Sequence, residues 1–261
     1  MTSSIWVEPN HITPGRLVAE AYTAEYLALE SQLQKSAERY KQKPLGKLGK
    51  LFTGPFGSKL PTSVFVDEGV PLLRVQNVGE IEVLSNNLVN IGHDTHKDII
   101  QSRLQSGDLA ISKAGDLGTT SVIPETISEC NITQHIVGVR VDRAAIDNYY
   151  LAAFLISSYG SFQFKRQGVG TLLKYLGVED TRNTQVIVPP RPLQTYIGAK
   201  VRLAEQCRRN GRELYQAIQT ELDDLYEDIL VEASPSLAFW IDEIDSPRVD
   251  AWHYQPIYRK A

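Results

Sequence analysis

Residues 192–232 read PLQTYIGAKVRLAEQCRRNGRELYQAIQTELDDLYEDILVE. Ile197, Val201, Ala204, Arg208, Gly211, Tyr215, Ile218, Leu222, Leu225 and Ile229 step through this stretch by 4 and 3 alternately. That spacing is the heptad of a coiled coil. Pro192 opens the segment, where its missing N–H costs nothing, and no proline follows as far as Glu232. A helix of about 40 residues is about 60 Å long, longer than a globular domain needs. Arg208 and Gly211 interrupt the apolar stripe, the kind of defect that can fix register. The stretch is either a dimerising spacer or an amphipathic helix lying on its own domain. Length and strict period favour the spacer, with Ile197, Val201, Ala204, Tyr215, Ile218, Leu222, Leu225 and Ile229 as its pairing face.

On the N-terminal side the character changes. Tyr22 to Lys43 reads as a helix, with Tyr26, Leu29 and Leu33 at helical spacing and Pro44 to end it. Short β-prone runs then alternate with Gly-, Pro- and Asn-marked turns: Lys47–Phe52, Pro71–Val78, Asp108–Lys113, Thr119–Ile123 and Ile132–Val141. Tyr149 to Phe164 reads as one apolar helix, and Thr184–Val188 as a last strand before Pro189. The expected organisation is an N-terminal segment and helix (1–45), a β-rich α/β domain (46–192), the long helix (193–233) and a C-terminal segment (234–261). The last of these echoes the first. Arg248, Ala251, Tyr254 and Tyr258 repeat the spacing of Arg16, Ala19, Tyr22 and Tyr26, as though a second unit began there.

Over 261 residues, 42% are hydrophobic and 22% charged, which suits a packed core and excludes wholesale disorder. A net charge of −4 argues against binding DNA or membrane through global positive charge, but not against a local basic stripe. The acidity is C-terminal: residues 193–261 carry 8 Lys and Arg against 12 Asp and Glu. From Asn148 to Val178 there is no acidic residue, while Lys165, Arg166 and Lys174 lie within. No apolar run is long enough to span a bilayer, and the N-terminus lacks a basic region followed by an apolar one, so no secretory signal is expected. With only Cys130 and Cys207, neither a disulfide framework nor a Cys-based zinc site is expected, and the cytoplasm is the simplest home.

Catalytic motifs are missing from the string. There is no G-x-S-x-G elbow, P-loop or HExxH. Gly115-Asp-Leu-Gly118 lacks the ending of a phosphate loop, and His93-Asp-Thr-His96 reads as the polar opening of a short helix rather than a ligand pair. Pro189-Pro190 is not followed by an aromatic, unlike the catalytic tetrapeptide of adenine methyltransferases. The expectation is a chain with no active site, cofactor or metal of its own.

What remains are three polar, glycine-flexible loops. Gly54-Pro-Phe-Gly-Ser58-Lys59 offers Ser58 and Lys59 to phosphate. Ser112 to Thr120 adds Lys113 and Thr119; Lys165-Arg-Gln-Gly-Val-Gly-Thr171-Leu-Leu-Lys174 adds Lys165, Arg166, Gln167, Thr171 and Lys174. Arg74, Gln76 and Asn77 contribute further donors and acceptors. Arg, Lys, Gln and Asn can read purine edges in the major groove, whereas Ser, Thr and Lys position a protein on phosphates. Each loop alone is ordinary surface punctuation; three on one β-rich domain shift the balance toward nucleic acid, though composition alone does not carry it.

Three separated stretches resemble one family. Gly54-Pro-Phe-Gly-Ser58 with Pro71-Leu-Leu-Arg-Val-Gln-Asn77 is similar to the opening of a target recognition domain from a type I restriction–modification specificity subunit. Gly107-Asp-Leu-Ala-Ile-Ser-Lys-Ala-Gly115-Asp-Leu-Gly118 resembles the family's middle signature. Tyr149-Tyr-Leu, Ser157-Ser-Tyr-Gly160, Gly170-Thr171 and Val188-Pro-Pro-Arg-Pro-Leu-Gln194-Thr-Tyr-Ile197 resemble its closing signature. The resemblance, over roughly residues 16–258, implies an α/β recognition domain with a β-rich core and a long coiled-coil spacer helix. It implies a non-catalytic subunit that directs methyltransferase and restriction subunits to a bipartite DNA site. Family members usually hold two recognition domains and two spacer helices. This chain has one of each, which resembles a half-subunit whose two copies pair through residues 193–232 and read an inverted repeat. A specificity subunit of another modification system and a coiled-coil interaction scaffold are the rival readings.

Overall fold

Thr23 starts the first helix by accepting the N–H of Tyr26 on its hydroxyl at 3.3 Å. The structure is a computed structural model and describes residues 6–9, 12, 19–168 and 174–227, with side chains to 223. Its helices are α1 (Ala24–Ser36), α2 (His93–Asp98), α3 (Asn148–Ile156), α4 (Ser158–Gln167), α5 (Val178–Asn183) and α6 (Arg191–Glu227). Its strands are β1 (Lys41–Pro44), β2 (Gly49–Thr53), β3 (Phe65–Val66), β4 (Val70–Leu73), β5 (Val89–Ile91), β6 (Arg103–Gln105), β7 (Leu109–Ser112), β8 (Thr120–Val122), β9 (Glu129–Ile132), β10 (Ile136–Val141) and β11 (Gln185–Val188).

Two helices end earlier than periodicity suggests. The stretch from Tyr22 to Lys43 leaves the helix at Ser36, whose hydroxyl donates back to the Leu33 carbonyl; the Gln42 amide donates to the same oxygen. Side chains thus replace the next helical N–H groups, and the chain turns into β1. The apolar run from Tyr149 to Phe164 is two helices, because Ser157 is extended and its hydroxyl donates to the Phe154 carbonyl at 2.6 Å.

The strands make three sheets: antiparallel β1–β11, antiparallel β2–β10–β7–β8, and mixed β3–β5–β4–β9–β6, in which β4 and β9 are parallel. Side-chain alternation stacks them. Leu109 and Ile111 of β7, with Val137 and Val139 of β10, share a core with Leu151 and Leu155 of α3 and Phe162 and Phe164 of α4. On the opposite face, Ala110 and Ile136 meet Leu73, Leu104, Cys130 and Ile132 of the five-stranded sheet. The four-stranded sheet therefore lies between a helical layer and a second sheet, with β7 buried throughout. This is the mixed α/β fold with a long C-terminal helix that the sequence implies.

The chain divides into two compact units, Met1–Glu205 and Gln206–Ala261. Within the first, the start of α6 is clamped to α3. Gln194, almost fully buried, accepts the Asp147 N–H at 2.9 Å and donates to the Pro189 carbonyl at 2.8 Å. Asp147 caps α3 through the Tyr150 N–H and pairs with Arg202 at 3.5 Å; the Arg202 guanidinium lies 4.9 Å from the centre of the Tyr149 ring. A Cβ at Gly198 would lie 2.2 Å from Oδ1 of Asp147, so a larger residue there would displace the carboxylate that caps α3. Ile197 and Val201 pack on the main core. Part of the apolar surface of these two expected pairing residues is therefore covered by their own domain, and each remains half-buried. Among the described residues, no helix is long and apolar enough to cross a membrane.

Candidate nucleic-acid interface

Several strand ends meet along one edge of the first unit. Thr53 at the end of β2 pairs with Val137, Ser112 at the end of β7 pairs with Ile136, and Thr120 at the start of β8 pairs with Ile111. Between β9 and β10 the chain turns through Thr133, Gln134 and His135. The Thr53 hydroxyl donates to the carbonyls of Gln134 (3.0 Å) and Ile136 (2.9 Å), and the Thr133 N–H donates to the Leu73 carbonyl. Gly54 lets the following loop pass directly over this turn: a Cβ there would lie 1.8 Å from the Ile132 carbonyl oxygen. The Gly54–Lys59 loop, the Arg74 turn, the Lys113–Thr119 loop and the Thr133–His135 turn therefore share one edge.

Side chains from these loops divide by what they already hold. Ser58 and Lys59 are exposed on a single 3-10 turn beside Phe56, which is 76% exposed. Gln76 and Lys165 are exposed and Lys113 is half-buried; none of the three is assigned a side-chain partner among the described residues. Asn77 is the opposite. It is completely buried, accepts the Arg74 N–H at 3.1 Å, and donates to the carbonyls of Leu84 (3.0 Å) and Asn86 (3.1 Å). Both its amide hydrogens and one lone pair of its oxygen are committed to the turn, so with the side chain completely buried it holds the loop. Arg74 is half-buried and donates to the Asn87 carbonyl. The Thr119 hydroxyl closes its own loop on Asp116 at 3.2 Å.

The third loop fares similarly. Arg166 is packed inside, 2.9 Å from a Glu30 carboxylate oxygen and 5.2 Å from the centre of the Tyr22 ring, with its side chain 10% exposed. It ties α4 to α1 and the N-terminal segment, which corrects its assignment as a DNA contact. Lys174 pairs with Glu20 at 3.1 Å on the surface, a bond of little energetic weight that a phosphate can displace. Gln167 ends α4 half-buried. Thr171 lies outside the described residues. On α6, Ala204, Tyr215, Ile218 and Leu222 are exposed. The side chain of Leu225, all of Ile229, and the 234–261 segment lie outside the described residues.

Gln134, His135 and Tyr175 are edge residues that the sequence does not announce. Tyr175 bridges Ala114 in antiparallel fashion, and its ring lies 6.1 Å from that of His135. The signal available was a polar Thr-Gln-His triplet inside a β-branched run, which is easily read as one strand.

Burial accounts for the titratable groups of the interior. It pushes the Cys130 thiol up to about 12, with the charges of Asp108 and Glu129 adding to the effect. It also pushes Tyr150 up to about 12, and that hydroxyl donates to the Ile187 carbonyl at 2.8 Å. Burial raises Asp108 despite N–H donors from Gln105 and Val141. His96 of α2 is buried against Asn131, with 2.6 Å between Nδ1 and Oδ1. Among the described residues no group of three His, Cys, Asp or Glu is placed to hold a metal ion.

The comparison with solved structures finds this fold, a β-rich domain followed by a long helix, among proteins of restriction–modification systems. The type I restriction–modification S subunit from M. genitalium superposes with a TM-score of 0.52 at 13% identity, covering 74% of this chain and 46% of that one. The type IIG restriction endonuclease BpuSI superposes at 0.50 and 10% identity, covering 69% and 28%. The HsdS subunit from Thermoanaerobacter tengcongensis is 19% identical over 81% of this chain and 51% of that one, with a TM-score of 0.45. The chain thus spans about half the length of the two S subunits and shares the fold of the M. genitalium protein. No protein-family model and no curated protein sequence matches it.

Proposed function

We propose that this protein is the DNA-recognition half-subunit of a type I restriction–modification system. One observation carries the proposal: on a fold shared with a type I S subunit, the uncommitted side chains Lys59, Gln76 and Lys113 sit on turns and loops along one β-edge, with Lys165 exposed near the end of α4. They combine an amide that can read a base edge with ammonium groups that can hold phosphates. The chain serves without chemistry of its own, in the cytoplasm, directing methyltransferase and restriction subunits that bring their own cofactors. Two copies pair through the exposed stripe of α6, including Tyr215, Ile218 and Leu222, and present two domains to an inverted, bipartite site. Because phosphate contacts dominate affinity for DNA and the net charge is −4, the chain alone binds weakly and its methyltransferase partner completes the clamp.

Selection from a random duplex pool, with the chain co-purified with a candidate methyltransferase subunit at moderate salt, tests this. Two inverted half-sites at fixed spacing are expected. A single ungapped half-site would remove the paired-helix arrangement, and no enrichment from an intact complex would leave a coiled-coil scaffold as the better account. A second reading, recognition within another restriction system, draws on the likeness to the type IIG endonuclease; the subunits that co-purify with the chain separate the two.

A further inference from the structure

Four side chains on the β-edge sit on backbone segments that bond one another. The Lys113 N–H donates to the His135 carbonyl at 3.0 Å, and the Lys113 carbonyl accepts the Leu176 N–H at 2.9 Å. Ala114 bridges Tyr175, and the Gln134 carbonyl is held by the Thr53 hydroxyl. Leu176 is completely buried, so the chain next to Tyr175 is anchored in the core. Lys113, Gln134, His135 and Tyr175 are therefore presented as one preformed unit, and little backbone entropy is lost when a ligand engages them.

Their chemistry is that of an anion site. An ammonium, an amide, an imidazole and a phenol can all donate to phosphate oxygens. The Gln134 amide meets Nε2 of His135 at 3.1 Å, and the Tyr175 ring, 42% exposed, lies against the imidazole. The nearby carboxylate of Asp116 is engaged by the Thr119 hydroxyl. Three of the four are half-buried. Base edges in the major groove are reached by exposed side chains that enter the groove, and Ser58, Lys59 and Gln76 are the more exposed of the edge residues. An acidic chain also needs its phosphate contacts concentrated.

We infer that Lys113, Gln134, His135 and Tyr175 form a phosphodiester-binding site that fixes the register of duplex DNA on the edge without reading its sequence. This rests on the DNA-recognition reading above and adds the division of labour within it. The test uses the full chain with its methyltransferase subunit, fluorescence anisotropy on the selected duplex and on an unrelated duplex of equal length, and a salt series.

Lys113→Ala is expected to weaken both duplexes by the same factor, roughly tenfold, and to lower the salt slope by about 1. Tyr175→Phe and Gln134→Ala are expected to weaken both by about threefold each, with the selected motif unchanged. Equal melting temperatures across the variants establish that each folds. Unchanged affinity in all three variants would overturn the inference. So would a loss confined to the selected duplex, or an altered motif, either of which assigns base reading to the cluster. If the unsubstituted complex binds neither duplex, the recognition reading itself fails, an outcome separable from the others because it precedes any substitution.

Discussion

Helix α6 carries one continuous heptad, yet its two halves live in different surroundings. From Gln194 to Val201 one face of the helix sits on its own domain: Gln194 and Gly198 are buried against Asp147, while Ile197 and Val201 pack on the core. From Gln206 to Asp223 every residue is exposed, including Leu214, Tyr215, Ile218 and Leu222. The same 3.5-residue repeat serves as an intramolecular seat in one half and as an unfilled apolar stripe in the other. Periodicity reports that a face will be covered; it does not report by what.

The seat should break most severely at Gln194. Gln194→Leu leaves the Asp147 N–H and the Pro189 carbonyl buried without partners, each worth about 1–3 kcal/mol. A loss of roughly 2–4 kcal/mol in urea unfolding is expected, and a loss below 0.5 kcal/mol would show that the clamp is not needed. Asp147→Ala removes the cap of α3 and the partner of Arg202. The cap alone is typically worth about 1 kcal/mol and the half-exposed ion pair adds little, so a loss of about 1–1.5 kcal/mol should be measured.

The exposed half should behave differently. Leu214→Asn with Ile218→Asn replaces side chains that pack on nothing described here, so unfolding free energy at high dilution should move by no more than about 0.5 kcal/mol. If this stripe pairs two copies, the same variant should sediment as a monomer at concentrations where the unsubstituted chain is a dimer. Equal dimerisation of both proteins would remove the stripe from the interface.

How much was legible in the sequence depended on how local the cause was. The long helix, the β-rich domain and the three ordered motifs could be read because each is a local pattern. The Thr133–His135 turn could not. It lies between β-branched residues with no glycine or proline to mark it, and the hydroxyl that pins it, Thr53, is some eighty residues away. Arg166 looked like a DNA contact because its partner Glu30 lies in α1, far along the chain. Asn77 has a residue type suited to adenine, but its amide is consumed by carbonyls of its own loop. Strands such as β3 and β5, with 2 and 3 residues, are too short to show a period.

The two cysteines give the smallest perturbation and report on both regions at once. Only the thiolate reacts with an alkylating or disulfide reagent. Cys130 is completely buried between the sheets, and with its thiol pushed up to about 12 only about one molecule in 10,000 is ionised at pH 8. It should stay unlabelled until the domain unfolds. Cys207 is exposed, and helical spacing sets it on the same face as Leu203, Leu214 and Ile218. Dilute native protein should therefore take up one label per chain, and denatured protein two. As concentration rises, Cys207 should slow if that face pairs, while Cys130 remains silent. A second fast label in the native state would contradict the sealed core between the sheets. A Cys207 rate independent of concentration, under conditions where the chain is shown to be dimeric, would place the dimer contact elsewhere on the molecule.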